Sequence, residues 1–288
     1  MPTVQRSEHN PAVFFEHRRP APPLDRFVES LWVCRNTPGP RRLERVLPSG
    51  TAQLIVNLSE DQTRVYTETA AGMVCATSPG SILSGITSRA QIIDSDEQTF
   101  VAGIVFRPGG TVPFARLPAH ELANTDVPLD AVWGPATTTR LRECLHGAAS
   151  PEDALNILER TLHDAWRSES GCHPAVSFAL RQFHRRPSAA RVAMVTSQVG
   201  LSEKRFIERF KADVGVTPKR FCRILRFQQV VSAAHALNDA DWADVAASCG
   251  YVDQAHLVHE FREFSGMTPT RYTRSRTAFQ NHVSFLQS

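Results

Sequence analysis

The chain has 288 residues, 42% of them hydrophobic and 21% charged, with a formal net charge of +3. At roughly 100–200 residues per domain this is enough for two separate cores, while apolar runs such as Phe100 to Phe106 fall far short of the ~20 residues that span a bilayer. Arg18, Arg19, Pro20, Pro22 and Pro23 occupy the stretch where a secretory signal needs an unbroken apolar segment, so a cytoplasmic protein is expected.

In chain order, residues 1–11 are expected to form a flexible N-terminus, followed by a β-rich domain over 12–167 with trailing helices. Short strand-like runs bounded by turn residues carry this reading: Ala52 to Leu58 after Pro48-Ser49-Gly50, Met73 to Ala76 before Pro79-Gly80, and Thr99 to Phe106 before Pro108-Gly109-Gly110. Leu141 to Cys144 and Ala154 to Ala165 read as helices, and 168–173 as a linker. Trp32, Glu44, Arg45, Asn57 and Arg107 are candidates for a small-molecule effector pocket, against the plainer reading of a core tryptophan with turn and surface-pair residues. Cys34, Cys75, Cys144, Cys172, Cys222 and Cys249 are too dispersed for a zinc knuckle or a redox pair, so free thiols, no metal and no cofactor are expected.

Charge divides the chain. Residues 1–171 hold 16 Arg against 20 Asp and Glu, whereas residues 172–288 hold 16 Lys and Arg against 9 acids. Lys204, Lys211 and Lys219 cluster with Arg205, Arg209, Arg220, Arg223 and Arg226, which concentrates positive potential suited to phosphates. On charge alone, a solvated basic face without a partner explains the cluster equally well.

The basic half contains an internal repeat. Gly215-Val216-Thr217-Pro218-Lys219-Arg220-Phe221 recurs 51 residues later as Gly266-Met267-Thr268-Pro269-Thr270-Arg271-Tyr272, with Phe210 matching Phe261 and Phe206 matching Leu257. Each copy reads as helix, glycine turn, helix. Val192, Val195 and Val199 form a stripe that stops at Gly200, Ser202 caps the next helix, and Phe206 and Phe210 mark its buried face. In the second copy Trp242, Val245 and Cys249 line the first helix, Gly250 turns the chain, Asp253 caps, and Leu257, Phe261 and Phe264 are buried. Pro218 starts a linking helix that runs to about Leu237.

A helix-turn-helix places its second helix in the major groove. Projection at ~100° per residue turns Lys204, Arg205 and Glu208 outward, flanked by Ile207 and Lys211; in copy two it turns Ala255, His256 and His259 outward, flanked by Val258 and Arg262. Arg205 offers a bidentate fork to guanine, Glu208 accepts from cytosine, and Ile207, Ala255 and Val258 suit thymine methyls. His256 and His259 also have a spacing seen in metal sites, but no third ligand follows.

These residues resemble the C-terminal domain of the AraC/XylS family of bacterial transcription regulators. The resemblance lies in Gly200-Leu201-Ser202, Arg209-Phe210-Lys211, Gly215-Val216-Thr217-Pro218-Lys219, Ala246-x-x-x-Gly250-Tyr251, Asp253-Gln254-Ala255-His256-Leu257, Glu260-Phe261-Arg262 and Thr268-Pro269-Thr270-Arg271-Tyr272. It covers about residues 174–274 and implies seven helices, the first near Pro174 to His184, and sequence-specific promoter binding. It implies base contacts at Lys204, Ile207, Glu208, Gln254, Ala255, His256, Val258 and His259, to which projection adds Arg205. Candidate phosphate contacts are Arg209, Lys211, Lys219, Arg220, Arg262 and Arg271. The sequence departs from the family at Thr196, where a small Ala is usual, and at Glu208, where a base-reading Arg is common. The N-terminal region resembles an uncharacterised sensor subgroup of the same regulators through Trp32, Glu44-Arg45-Val46-Leu47-Pro48-x-Gly50, Asn57 and Phe106-x-Pro108-Gly109-Gly110.

The expected architecture is a small, barrel-like α+β domain followed by an all-α domain over 174–276, with two helix-turn-helix motifs on a long linking helix. A tail over 277–288 either docks back on the protein or is disordered. The expected function is a regulator that reads a bipartite promoter site under a small-molecule effector, with RNA polymerase and a second copy as further partners. A regulator whose N-terminal domain only dimerises is the alternative. No membrane is involved, and no G-x-S-x-G or phosphate loop points to an enzyme.

Overall fold

The computed structural model describes residues 5–6, 13–37, 42–167, 171–185, 187, 192–236 and 241–285. Most of the expected flexible N-terminus, residues 168–170 of the linker, Leu237 and residues 286–288 of the tail lie outside them.

The N-terminal part is built from strands β1 (Gln5–Arg6), β2 (Val13–Arg18), β3 (Val28–Asn36), β4 (Leu43–Val46), β5 (Gln53–Asn57), β6 (Gln62–Thr69), β7 (Gly72–Pro79), β8 (Ser81–Ser84), β9 (Gln91–Asp94), β10 (Phe100–Phe106) and β11 (Asp126–Pro128). Helices α1 (Leu129–Trp133), α2 (Pro135–His146) and α3 (Pro151–Ala165) follow. One antiparallel sheet runs β1-β2-β3-β10-β5-β8-β11; the other runs β4-β9-β6-β7 and gains an outer strand described below.

Period-two alternation gives the larger sheet two different faces. Leu31, Val33, Leu54, Val56, Ala102 and Ile104 point to one side, where they pack with Leu141, Leu155, Leu158 and Leu162 of α2 and α3. Ser150 caps α3 by accepting from Asp153 N at 3.1 Å, and Leu155, Leu158 and Leu162 form the stripe that the sheet buries. The alternate residues Trp32, Cys34, Val101 and Val105 turn toward the smaller sheet and line a cavity between the two.

The C-terminal part comprises α4 (Pro174–Arg185), α5 (Val192–Thr196), α6 (Glu203–Val214), α7 (Pro218–Ala236), α8 (Trp242–Ser248), α9 (Gln254–Ser265) and α10 (Pro269–Ser275). Its core is an aromatic chain in which Phe210 meets Phe183, Phe206 and Phe221 at 5.8 Å each, with Phe227 against Phe261 and Phe264. The repeat is visible in the backbone. Helices α6 and α9 both end on a glycine in the left-handed region, Gly215 at φ 104° and Gly266 at φ 73°, where a Cβ would strain the cap.

The tail docks back. Strand β12 (His282–Ser284) pairs antiparallel with β4, placing His282 opposite Val46 and Ser284 opposite Glu44. Leu47 N donates to Asn281 O at 2.8 Å, and Gln228 of α7 donates to Pro48 O at 2.6 Å. Leu47 and Ile86 of the N-terminal part enter the helical core, while most of the N-terminal apolar residues form a core of their own.

Candidate nucleic-acid interface

Helices α6 and α9 are each 12 residues long and capped alike: Ser202 Oγ accepts from Arg205 N, and Asp253 Oδ1 accepts from His256 N. Phe206 and Phe210, like Leu257, Phe261 and Phe264, are fully buried, which turns the opposite faces to solvent. On α6, Lys204, Arg205 and Glu208 are exposed and Ile207 is half-buried. On α9, Gln254, Ala255 and His259 are exposed, while His256 and Val258 are half-buried. The His256 ring packs edge-on against Tyr251 at 5.2 Å, which fixes its direction at the start of the helix.

The cations divide into two sets. Lys211, Lys219, Arg262 and Arg271 are exposed, and the exposed Arg209 pairs with Asp213 at 3.2 Å. Arg220, Arg223 and Arg226 instead face α9, where they meet Glu260 and Glu263. Arg220 bonds Glu263, donates to Ser88 O at 2.8 Å, and lies 4.4 Å over the Phe264 ring. Arg223 Nε donates to Glu260 at 2.7 Å and its other arm bonds Glu263; Arg226 donates to Glu260 at 3.0 Å. The expectation that these three arginines add free positive potential is therefore corrected: Glu260 and Glu263, 34 to 43 residues away in sequence, pair with them and offset two of their three charges. A signal was present, since arginines at 220, 223 and 226 and glutamates at 260 and 263 each recur at a helical spacing of three.

These contacts set the acid behaviour of the domain. Bonds from Arg223 and Arg220 outweigh burial and hold the Glu263 carboxyl at about 2. Burial pushes the Glu260 carboxyl up, but bonds from Arg223, Arg226 and Tyr251 outweigh it and leave it below the usual range. A carboxyl depressed in the folded state contributes stability above its unfolded value of 4.5, and that contribution is lost as pH falls toward the folded value. Thermal midpoints measured by calorimetry should fall steeply between pH 4.5 and about 2, and Glu263→Gln should flatten part of that fall. An unchanged slope in the variant would remove Glu263 from this role.

The N-terminal candidates do not converge. Trp32 and Glu44 line the cavity between the sheets, whose volume is about 520 Å³. Arg45 is on the other side of β4, where it pairs with Glu68 at 3.3 Å and stacks over Phe285. Asn57, 1% exposed, ties the start of β6 to the turn after β9 by donating to Gln62 O and Glu97 O. Arg107 Nε donates to Asp25 O at 2.9 Å and lies apart from the cavity. Sequence reading missed Phe15, Arg42, Phe279 and His282, which do line it.

Residues 195–275 match the family described as Helix-turn-helix domain, and residues 16–128 match Domain of unknown function (DUF6597). "Probable transcriptional regulator LumQ" of Photobacterium leiognathi is 31% identical over 81 residues, 28% of this chain; the chain spans about a third (32%) of that protein's length. Among solved structures, ToxT from Vibrio cholerae O395, bound to (E)-4-(8-methylnaphthalen-1-yl)but-3-enoic acid, aligns with TM-score 0.46 at 10% identity, covering 81% of this chain and 97% of that one. A DNA-binding transcriptional dual regulator from Escherichia coli K-12 aligns with TM-score 0.32 at 18% identity, covering 37% and 96%. No helix among the described residues is long and apolar enough to cross a membrane. With two like-capped helix-turn-helix units and a matching family over the same residues, the C-terminal part of this chain is an AraC-type helix-turn-helix domain, preceded by a β-rich domain of the DUF6597 family.

Proposed function

We propose that the chain is a sequence-specific, DNA-binding transcription regulator that lays α6 and α9 in successive major grooves of promoter DNA. The observation that carries this reading is the pair of 12-residue helices with solvent-facing polar sides, joined by the 19-residue α7. At 1.5 Å per residue α7 is about 28 Å long, comparable to the ~34 Å of one duplex turn. Lys204, Arg205, Ile207 and Glu208 read one half-site and Gln254, Ala255, His256, Val258 and His259 the other. Arg209, Lys211, Lys219, Arg262 and Arg271 hold phosphates, with Arg220 the weakest of the six candidates because Glu263 already pairs with it.

The cavity favours an effector-responsive N-terminal domain over one that only dimerises. On this reading the chain acts in the cytoplasm, meets RNA polymerase at the promoter, pairs with a second copy, and performs no bond chemistry.

Selection of bound duplexes from a random pool by the full chain tests the reading. A two-part motif with centres about 10 base pairs apart is expected. Arg205→Ala and His259→Ala should each relax a different half, by about 1–3 kcal/mol per lost base contact. Retained DNA without any motif would overturn sequence-specific reading.

A further inference from the structure

The cavity between the sheets has a chemistry of its own. At about 520 Å³ it is large enough for a small organic molecule. Its floor carries Trp32, whose ring lies so close to β10 that a Cβ on Gly103 would come within 2.4 Å of it; glycine is what lets the ring lie there. Phe15 stacks beside Trp32 at 6.2 Å, and Phe279 meets Phe15 edge-on at 5.4 Å. Phe279 leads on to the His282 ring at 6.0 Å, and His282 Nδ1 lies 3.0 Å from Glu44 Oε2. The aromatic run thus ends on a carboxylate.

Glu44 puts a carboxylate on this wall. Arg42, the other formally charged side chain on the lining, meets Asp96 at 3.3 Å. Glu44 is matched by His282, a charge pair only when the imidazole is protonated. Burial would raise the Glu44 carboxyl, yet the bond and charge of His282, the charge of Arg42 and a bond from Ser95 hold it below the usual range. The Cys34 thiol is pushed up to about 11 by burial and by the Glu44 charge, so that charge is felt within the cavity. Ring faces beside an ionised carboxylate are the complement of an organic cation.

We propose that this cavity binds a small organic cation, an amine or quaternary ammonium on a compact apolar body, and that the segment 276–285 is the wall through which its occupancy reaches the helix-turn-helix domain. The inference rests on reading the N-terminal domain as the sensor. Phe279 and His282 belong to a segment that follows directly from α10, where Tyr272 OH donates to Gln280 O at 2.9 Å. The same segment is tied to α7, since Gln228 donates to Asn281 Oδ1 at 3.0 Å. A cation packed on Phe279 binds the state in which this segment is paired with β4 in preference to a detached state, and so shifts the chain toward it.

The test uses the full chain and benzyltrimethylammonium as probe, with neutral neopentylbenzene and anionic phenylacetate as controls. Benzyltrimethylammonium should raise the melting temperature and titrate calorimetrically, and the controls should not. Glu44→Gln, which keeps an acceptor for His282, and Trp32→Leu, which keeps apolar volume without the ring face, should each weaken binding about tenfold. Equal binding of phenylacetate, or equal affinity in Glu44→Gln, would overturn the cation assignment, as would a melting temperature that no probe moves. Fluorescence anisotropy on a selected duplex is the second readout: DNA affinity should change with the cation present, and an unchanged affinity despite cation binding would overturn the coupling. Cation binding by a chain that selects no duplex would instead refute the regulator reading while leaving the site intact.

Discussion

Glu260→Ala should destabilise the helix-turn-helix domain by about 3 kcal/mol, the scale seen when one partner of a buried ion pair is removed. Glu260 is 2% exposed and accepts from Arg223, Arg226 and the Tyr251 hydroxyl at 2.7, 3.0 and 2.9 Å. Truncation strips three donors of their acceptor at once. Arg223 keeps its second bond to Glu263, whereas Arg226 keeps its packing over the Tyr251 ring at 4.7 Å, in a site where its charge is poorly hydrated. Urea denaturation at neutral pH measures the loss, and Glu260→Gln, which preserves shape and one acceptor, should lose less. Joint replacement of Arg226 and Glu260 by Met and Leu should recover much of the stability, because the pair stabilises little relative to apolar groups of similar volume. A cost for Glu260→Ala below about 0.5 kcal/mol, the size of an ordinary surface substitution, would mean that the arginines find water easily.

Phe210→Ala should cost about 3–5 kcal/mol, the range for emptying a buried aromatic site. Its ring touches those of Phe183, Phe206 and Phe221, which come from α4, α6 and α7, so the void opens at the junction of three helices. Phe210→Leu, closer in volume, should cost less than half as much. The functional readout is sharper than the stability one. Because Phe210 supports α6 and not α9, the variant should lose preference in one half of a selected DNA motif and keep the other. Equal loss in both halves would show that the two units do not read independently.

The helical domain was legible because its signals are local. Gly200, Gly215, Gly250 and Gly266 all take positive φ, Ser202 and Asp253 cap, and the apolar stripes fall at helical spacing, so each boundary is written within a few residues of itself. The strands were less legible. β3 reads Val-Glu-Ser-Leu-Trp-Val-Cys-Arg-Asn, a mixture that makes sense only when one face packs on helices and the other borders a cavity. The sequence marks α2 only from Leu141 because Thr137, Thr138 and Thr139 are poor helix formers, and burial of Thr138 beside Leu141 and Leu145 overrides that preference. Among the pocket candidates, Glu44 and Arg45 are neighbours in sequence but face opposite sides of β4, and no local pattern reveals which side is enclosed. The enclosing residues lie far away, with His282 separated from Glu44 by 238 positions.

That separation has a meaning in time as well as in space. A ribosome adding ~5–20 residues per second needs on the order of 10–50 s to travel from one partner to the other. During that interval β4 can pair with β9 on one side while its other edge waits, its backbone groups satisfied by water. Strand β12 reaches that edge only after both helix-turn-helix units have been synthesised, so the sheet of the first domain is completed by a strand made after the second. A truncated translation product that stops before residue 282 would therefore carry a DNA-binding domain with an unfinished partner, and the five-stranded sheet marks the chains whose synthesis has run past it.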